Sequence, residues 1–175
     1  IQNWEFVFML ETIYERRSVR KYLDKSVDKK TVEEILKAGM YAPSAVNKQP
    51  WHFIVCDTRE AVERVHKLHP YSTMLKTAPV CILVFGDTDL EFCPGFYITD
   101  CSAATENILL AAKALGLDTC WLGIYPHKDM QEAFSKEFNL PANVVPFAAI
   151  ALGYGDEKKE RPDRFDAGKI HYNKW

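Results

Sequence analysis

The sequence predicts one layered domain of mixed α and β structure, a sheet with helices on both faces, and three observations carry that expectation. Apolar runs of strand length alternate along the chain with amphipathic segments of helical period. One run, Val80-Cys81-Ile82-Leu83-Val84-Phe85, is apolar at every position, as a central strand covered above and below must be. The segment from Ile98 to Leu115 is apolar most of the way round and rich in alanine, so it reads as a central, buried helix that another helix can approach closely. By pattern alone, strands alternating with helices suggest a parallel, doubly wound sheet.

In chain order, Met9 to Glu15 reads as a short first helix that runs into an arginine-rich turn. Residues 1–8 carry no initiator methionine and fit no pattern that follows. They read as a cloning remnant or a start-site artefact, and the domain is taken as residues 9–175. Asp28 can cap a helix with Val32, Ile35, Leu36, Gly39 and Met40 on its apolar stripe. That helix delivers the chain to a loop punctuated by Pro43 and Pro50, after which His52 to Cys56 reads as a buried strand. Thr58 can cap a helix carrying Ala61, Val65 and Leu68 on one stripe, and Pro70 ends it. After the apolar central strand and the alanine-rich helix, Gly116 stands at the C′ position, where a positive φ costs least. A strand at Thr119 to Gly123, a helix facing inward through Met130, Ala133, Phe134 and Phe138, and a last strand at Val144 to Leu152 complete the core. The tail from Asp156 ends in Ile170, Tyr172 and Trp175. Such an aromatic tip has to bury, and a second subunit is its expected target.

A chain of 175 residues with 47% hydrophobic composition can build one substantial core. Its net charge of -2 gives no general attraction to nucleic acid or to anionic membranes, so an anion must be recognised by a local cluster of positive charge. Five cysteines, mostly inside apolar runs and without a Cys-x-x-Cys, read as core thiols of a reducing compartment. No apolar run reaches the roughly 18 to 20 residues that cross a bilayer, so a cytoplasmic protein is expected.

Two stretches stand out chemically. Arg16, Arg17, Ser18 and Arg20 lie within one turn. Guanidinium groups grip phosphate bidentately and a serine hydroxyl adds a donor without bulk, although the same cluster also reads as a solvated basic turn. In the segment Ala42-Pro43-Ser44-Ala45-Val46-Asn47-Lys48-Gln49-Pro50, the prolines hold hydroxyl, amides and free N–H groups in place. It reads either as a binding loop or as an ordinary connector. Other signals fail: Gly153-Tyr154-Gly155 lacks the third glycine and following helix of a dinucleotide fingerprint. His66-x-x-His69 has helical spacing for a metal but no further ligand pattern, and no Ser-His-Asp context occurs.

With Asn107-Ile108-Leu109-Leu110-Ala111-Ala112 and Leu115-Gly116-Leu117 added, these stretches resemble, in order and from about Met9 to Trp175, the nitroreductase family of FMN-dependent oxidoreductases. The resemblance replaces the parallel sheet by a three-layer α/β/α fold of the α+β class, with a largely antiparallel sheet and a C-terminal tail exchanged with the partner subunit. It implies a homodimer with FMN at the subunit interface and NAD(P)H as electron donor. Arg16, Arg17, Ser18 and Arg20 would hold the phosphate and ribityl chain. Pro43, Ser44, Ala45 and Asn47 would reach the flavin of the other subunit. Leu122, Gly123 and Ile124 would run along the ring, with backbone N–H groups near N5 and O4. Arg164 would be a second phosphate ligand, with Arg161 and Lys159 close enough to be confused with it.

The implied reaction passes hydride through flavin N5 to nitroaromatics, quinones or related acceptors by a ping-pong route, with no side chain acting as nucleophile or general acid. Dehalogenation, flavin fragmentation and a flavin-binding module without turnover are the alternatives on this fold. The segment Asp87 to Tyr97 is short where longer relatives carry a pocket lid, and Phe92, Phe96 and Tyr97 read either as cover for the flavin face or as packing residues.

Overall fold

The computed structural model describes the backbone of residues 4–175 and side chains from residue 9 onward. Its strands are β1 (Trp51–Cys56), β2 (Val80–Asp87), β3 (Asp118–Gly123) and β4 (Val144–Gly153), and they form one sheet in the order β1-β2-β4-β3. Every pairing is antiparallel, which overturns the parallel sheet that alternation alone suggests.

The reason lies in how often the chain crosses the sheet between strands. Cys56 stands opposite Cys81, so β2 starts beside the end of β1. The chain must therefore go out through helix α3 (Arg59–Leu68) and come back through residues 69–79, where a 3-10 turn covers Thr73–Lys76. Gly123 opposite Ala148 demands the same of α5 (Lys128–Glu137) and the loop behind it. Only α4 (Phe96–Ala114) crosses once: its 19 residues span about 28 Å at 1.5 Å per residue. β2 and β3 consequently run in the same direction, with β4 inserted between them.

α2 (Lys29–Met40) and α4 cover one face of the sheet, with α1 (Trp4–Glu15) against α4, while α3 and α5 cover the other. α1 begins before the Met9 expected from the pattern, and residues 1–3 of the segment read as a remnant lie outside the described residues. The expected caps are in place: Asp28 Oδ1 accepts from the Thr31 N–H at 3.0 Å, and Thr58 Oγ1 from the Ala61 N–H at 3.2 Å. Gly116 has φ 76°, the left-handed value expected of a C′ glycine.

β2 is buried along its whole length, its alternate residues serving the two faces: Ile82 and Val84 pack with Ile35, Ala104 and Ile108, whereas Leu83 and Phe85 pack with Val62, Val65 and Phe134. β1 departs from its expected burial because it lies at the sheet edge, with His52 exposed. Met40 also departs: it is the last residue of α2 and is half exposed. At the far end of β2 the Tyr97 ring lies so close over Gly86 that any Cβ there would strike it.

Four cysteines, Cys56, Cys81, Cys101 and Cys120, are buried, and Cys93 alone of the five is half exposed. Burial pushes the Cys56 thiol up to about 11 and the Cys101 thiol up to about 12. The tail stays uncovered in the single chain, with Tyr172 and Trp175 almost fully exposed.

Two measurements check this packing. Gly86→Ala should lower the unfolding free energy by about 1–3 kcal/mol through overpacking against Tyr97, read as a reduced urea midpoint at fixed protein concentration. A neutral substitution would mean that Tyr97 does not rest on the strand. A thiol reagent under native conditions should label one cysteine per chain rapidly, and Cys93→Ala should remove that signal; a second fast thiol would contradict the described core.

Candidate functional site

The arginine turn is fastened to the sheet by the residues between its cations. The Arg16 N–H still donates to the Thr12 carbonyl, ending α1. Ser18 then forms a parallel bridge to Thr119 at the start of β3, and Tyr22 an antiparallel bridge to Gly155. Val19 and Tyr22 point inward and are buried, and the Tyr22 hydroxyl lies 2.8 Å from the Val19 carbonyl and 3.3 Å from that of Ala151. Burial raises the Tyr22 phenol far above its ordinary value, so it stays a neutral donor. With two side chains anchored inward, Arg16, Arg17 and Ser18 are left half buried and Arg20 exposed.

Arg16 and Arg17 each have a resting partner, whereas the Arg20 guanidinium reaches only the Ser18 carbonyl, at 3.5 Å. Arg16 Nε lies 3.4 Å from Glu106 Oε1 on α4, and Arg17 Nε donates to the Glu160 carbonyl at 3.1 Å. The Arg20 backbone N–H donates to Glu157 Oε1, which holds that carboxyl below its ordinary range. In the tail, Lys159 pairs with Glu157 at 3.4 Å. Arg161 lies 3.0 Å from Glu11 and 3.7 Å from Glu15, over the ring of Tyr14. Of the three tail cations considered, only Arg164 has no acidic partner among the described residues. It shares with Arg17 and Arg161 an open cavity of about 580 Å³ that Tyr14, Asp163 and Phe165 also line.

The loop before β1 is strained, and it is held by its own hydrogen bonds and by a contact to α4. A 3-10 turn covers Ala45–Asn47, and Val46, Asn47 and Gln49 have φ of 51°, 54° and 51°. That region is unfavourable for a β-branched residue such as Val46. Ser44 Oγ accepts the Gln49 N–H at 2.9 Å, and Gln49 Nε2 donates to Asn47 Oδ1 at 3.0 Å. Pro43 and Asn47 are exposed, Ser44 and Ala45 half buried. The Ala45 N–H donates to Oδ1 of Asp100 on α4 at 3.1 Å. Asp100 is not a sequence candidate; the signal for it is a carboxylate in a helix that is apolar most of the way round.

At the end of β3 the three expected residues behave differently. Leu122 and Ile124 turn their side chains into the core, and the Ile124 and Tyr125 N–H groups both donate to the Phe147 carbonyl, at 3.1 and 2.9 Å. Gly123 lies between them, exposed, and a Cβ there would meet nothing nearer than the Tyr125 carbonyl oxygen at 3.6 Å. Its backbone is therefore open to close approach by a flat group. The Gly123 carbonyl is 3.1 Å from Nε2 of buried His69, whose pKa is lowered chiefly by burial, so the neutral ring donates there. His66 Nδ1 lies 2.8 Å from Ser72 Oγ, so the His66-x-x-His69 pair divides between two partners. Tyr97 is buried, while Phe92 and Phe96 are exposed and meet edge to face at 6.1 Å.

Ser18 and Gly123 stand at the two ends of β3, since four residues from Thr119 at about 3.3 Å each make roughly 13 Å. A cationic end and an open glycine on one strand suit an elongated ligand with an anionic end and a flat end, which is the shape of FMN. Pro43 to Asn47 lie elsewhere. They lead into β1, at the opposite edge of the sheet, three interstrand spacings or about 14 Å from β3. Along the strands the offset is larger: Trp51 aligns with Val145 through Gly86 and Ser18 with Leu152 through Thr119, seven residues or about 23 Å apart on β4.

Known proteins share this fold. The model of the family described as Nitroreductase family matches residues 13–69 and 62–154. A protein of Methanothermobacter thermautotrophicus named "Putative NADH dehydrogenase/NAD(P)H nitroreductase" is 48% identical over 167 residues, spanning 95% of this chain and 87% of that relative. Among solved structures, an FMN-dependent nitroreductase of Clostridium difficile R20291 superposes with a TM-score of 0.87 at 30% identity, covering 95% of this chain and 99% of that one. A Desulfovibrio desulfuricans protein in complex with FMN superposes with a TM-score of 0.82 at 32% identity, covering 95% and 97%. With the antiparallel three-layer fold, the arginine turn and the glycine at the end of β3 all falling inside the matched span, the chain belongs to the nitroreductase family and is a nitroreductase-type oxidoreductase.

Proposed function

We propose that the protein binds FMN and works as a homodimeric NAD(P)H oxidoreductase acting on nitroaromatics, quinones or similarly electron-poor acceptors. The observation that carries this reading is the pairing, on β3, of an arginine–serine turn at one end with an open glycine backbone at the other. FMN, when bound, supplies hydride uptake from NAD(P)H at N5 and hydride delivery to the acceptor, one substrate replacing the other. The chain's own residues bind and orient. Arg16, Arg17, Ser18 and Arg20 take the phosphate end, and Arg164 adds a cation that no carboxylate among the described residues neutralises. Gly123 lets the main chain lie against the ring, flanked by the buried Leu122 and Ile124 that fix its position.

The second subunit completes the site. Pro43, Ser44, Ala45 and Asn47 sit at the opposite edge of the sheet from the arginine turn, so they serve a partner's flavin more readily than their own. Three features support the dimer. α1 exposes Met9, Ile13 and Tyr14, and a cavity of about 340 Å³ between it and α4 is lined mostly by apolar groups. β1 has a free edge among the described residues, and the exposed tail tip with Tyr172 and Trp175 suits the partner's surface. No described helix is long and apolar enough to cross a membrane.

The test is the visible absorbance spectrum of the purified protein before and after anaerobic NADH, then NADPH. Flavin bands that bleach support the reductase and identify the preferred donor; bands that persist contradict turnover with these donors, and a colourless protein unable to take up FMN contradicts the site. Arg16→Ala and Arg164→Ala should each weaken FMN binding by roughly 10- to 150-fold, the equivalent of about 1.5–3 kcal/mol for one charge-assisted bond, as measured by flavin fluorescence titration. Gly123→Ala should also weaken binding while leaving the urea midpoint nearly unchanged, because its Cβ has room in the free protein.

A further inference from the structure

We propose that Asp100 is the positioning residue of the 44–49 loop, holding in one strained form the backbone that faces the cofactor. The part of this inference that concerns flavin rests on the FMN reading above. Asp100 is 4% exposed on α4, a carboxylate in a helix whose other buried residues are Tyr97, Cys101, Ala104, Thr105, Ile108, Leu109 and Ala112. Taking a carboxylate out of water is costly unless donors reach it, so a half-satisfied one is weak as a source of stability. Its Oδ1 accepts the Ala45 N–H at 3.1 Å, while its Oδ2 is buried with no hydrogen-bond partner among the described residues.

The loop it reaches needs such an anchor. The other hydrogen bonds within the turn, Gln49 N–H to Ser44 Oγ, Gln49 Nε2 to Asn47 Oδ1, Asn47 N–H to the Ser44 carbonyl and Lys48 N–H to the Ala45 carbonyl, close the loop on itself and do not fix its place. Three non-glycine residues with positive φ store strain that the loop would release if it were free to relax. Ala45 to Asp100 is the tie between the loop and the central helix, and it comes just before Val46, the first of the strained residues. Asp100 therefore acts through the backbone of residues 45–47 and touches no reacting atom.

Hydrogen exchange of the 42–50 segment and FMN titration are compared in the full-length protein, in Asp100→Ala and in Asp100→Asn. Asparagine keeps a carbonyl acceptor for the Ala45 N–H and removes the charge. In the FMN-free protein the segment should exchange about tenfold faster in Asp100→Ala and at the normal rate in Asp100→Asn. FMN affinity should fall by about tenfold in Asp100→Ala and stay within about threefold of normal in Asp100→Asn, at a temperature where all three are folded. Unchanged loop exchange in Asp100→Ala, equal behaviour of the two variants, or a freed loop with unaltered FMN affinity would each overturn the proposal. Failure of the unsubstituted protein to bind FMN would instead contradict the cofactor reading, and the exchange comparison alone would then decide whether Asp100 anchors the loop.

Discussion

The single crossing made by α4 is the constraint on which the rest of the molecule depends. Because that helix carries the chain once from the end of β2 to the far end of β3, those strands run in the same direction, and the slot between them can be filled antiparallel by β4. The same helix is the support for both chemically interesting segments. It offers Glu106 to Arg16 and Asp100 to Ala45. Six residues at about 100° each place these two carboxylates roughly 120° apart around the axis, so the arginine turn and the 44–49 loop meet different faces of one rod.

The electrostatics of the arginine turn follow a simple ranking of strengths. The pair between Arg16 and Glu106 is partly exposed at 3.4 Å, and such pairs contribute about 0–1 kcal/mol. A charge-assisted bond from the same guanidinium to a phosphate is worth about 1.5–3 kcal/mol. Glu106 can therefore keep Arg16 ordered without outcompeting an incoming phosphate. Arg161 is better occupied, between Glu11, Glu15 and the Tyr14 ring, and this separates it from Arg164, which spacing alone does not do.

Much of the fold is legible in the sequence because it depends on short-range rules. The caps at Asp28 and Thr58, the positive φ at Gly116 and the two-sided burial of Val80 to Phe85 each follow from a few neighbouring residues. Strand direction is not local: an irregular return such as residues 69–79 carries no periodic signal, so one crossing and two look alike. The edge position of β1 escapes for a related reason, since an apolar run such as Phe53 to Val55 does not say which strand lies beside it. In the candidate site, the arginine cluster and Gly123 are legible as residue types. The supporting contacts, Asp100 at Ala45, Glu106 at Arg16 and the neutral His69 on the Gly123 carbonyl, join residues distant in sequence and become visible only in the fold.

The central claim is that one binding site draws on two copies of the chain. Sedimentation velocity across a dilution series, with simultaneous detection at protein and flavin wavelengths, tests it directly. The account predicts that flavin absorbance sediments only with the dimer, and that dilution to monomer releases free FMN. A monomer boundary that still carries stoichiometric flavin would contradict it.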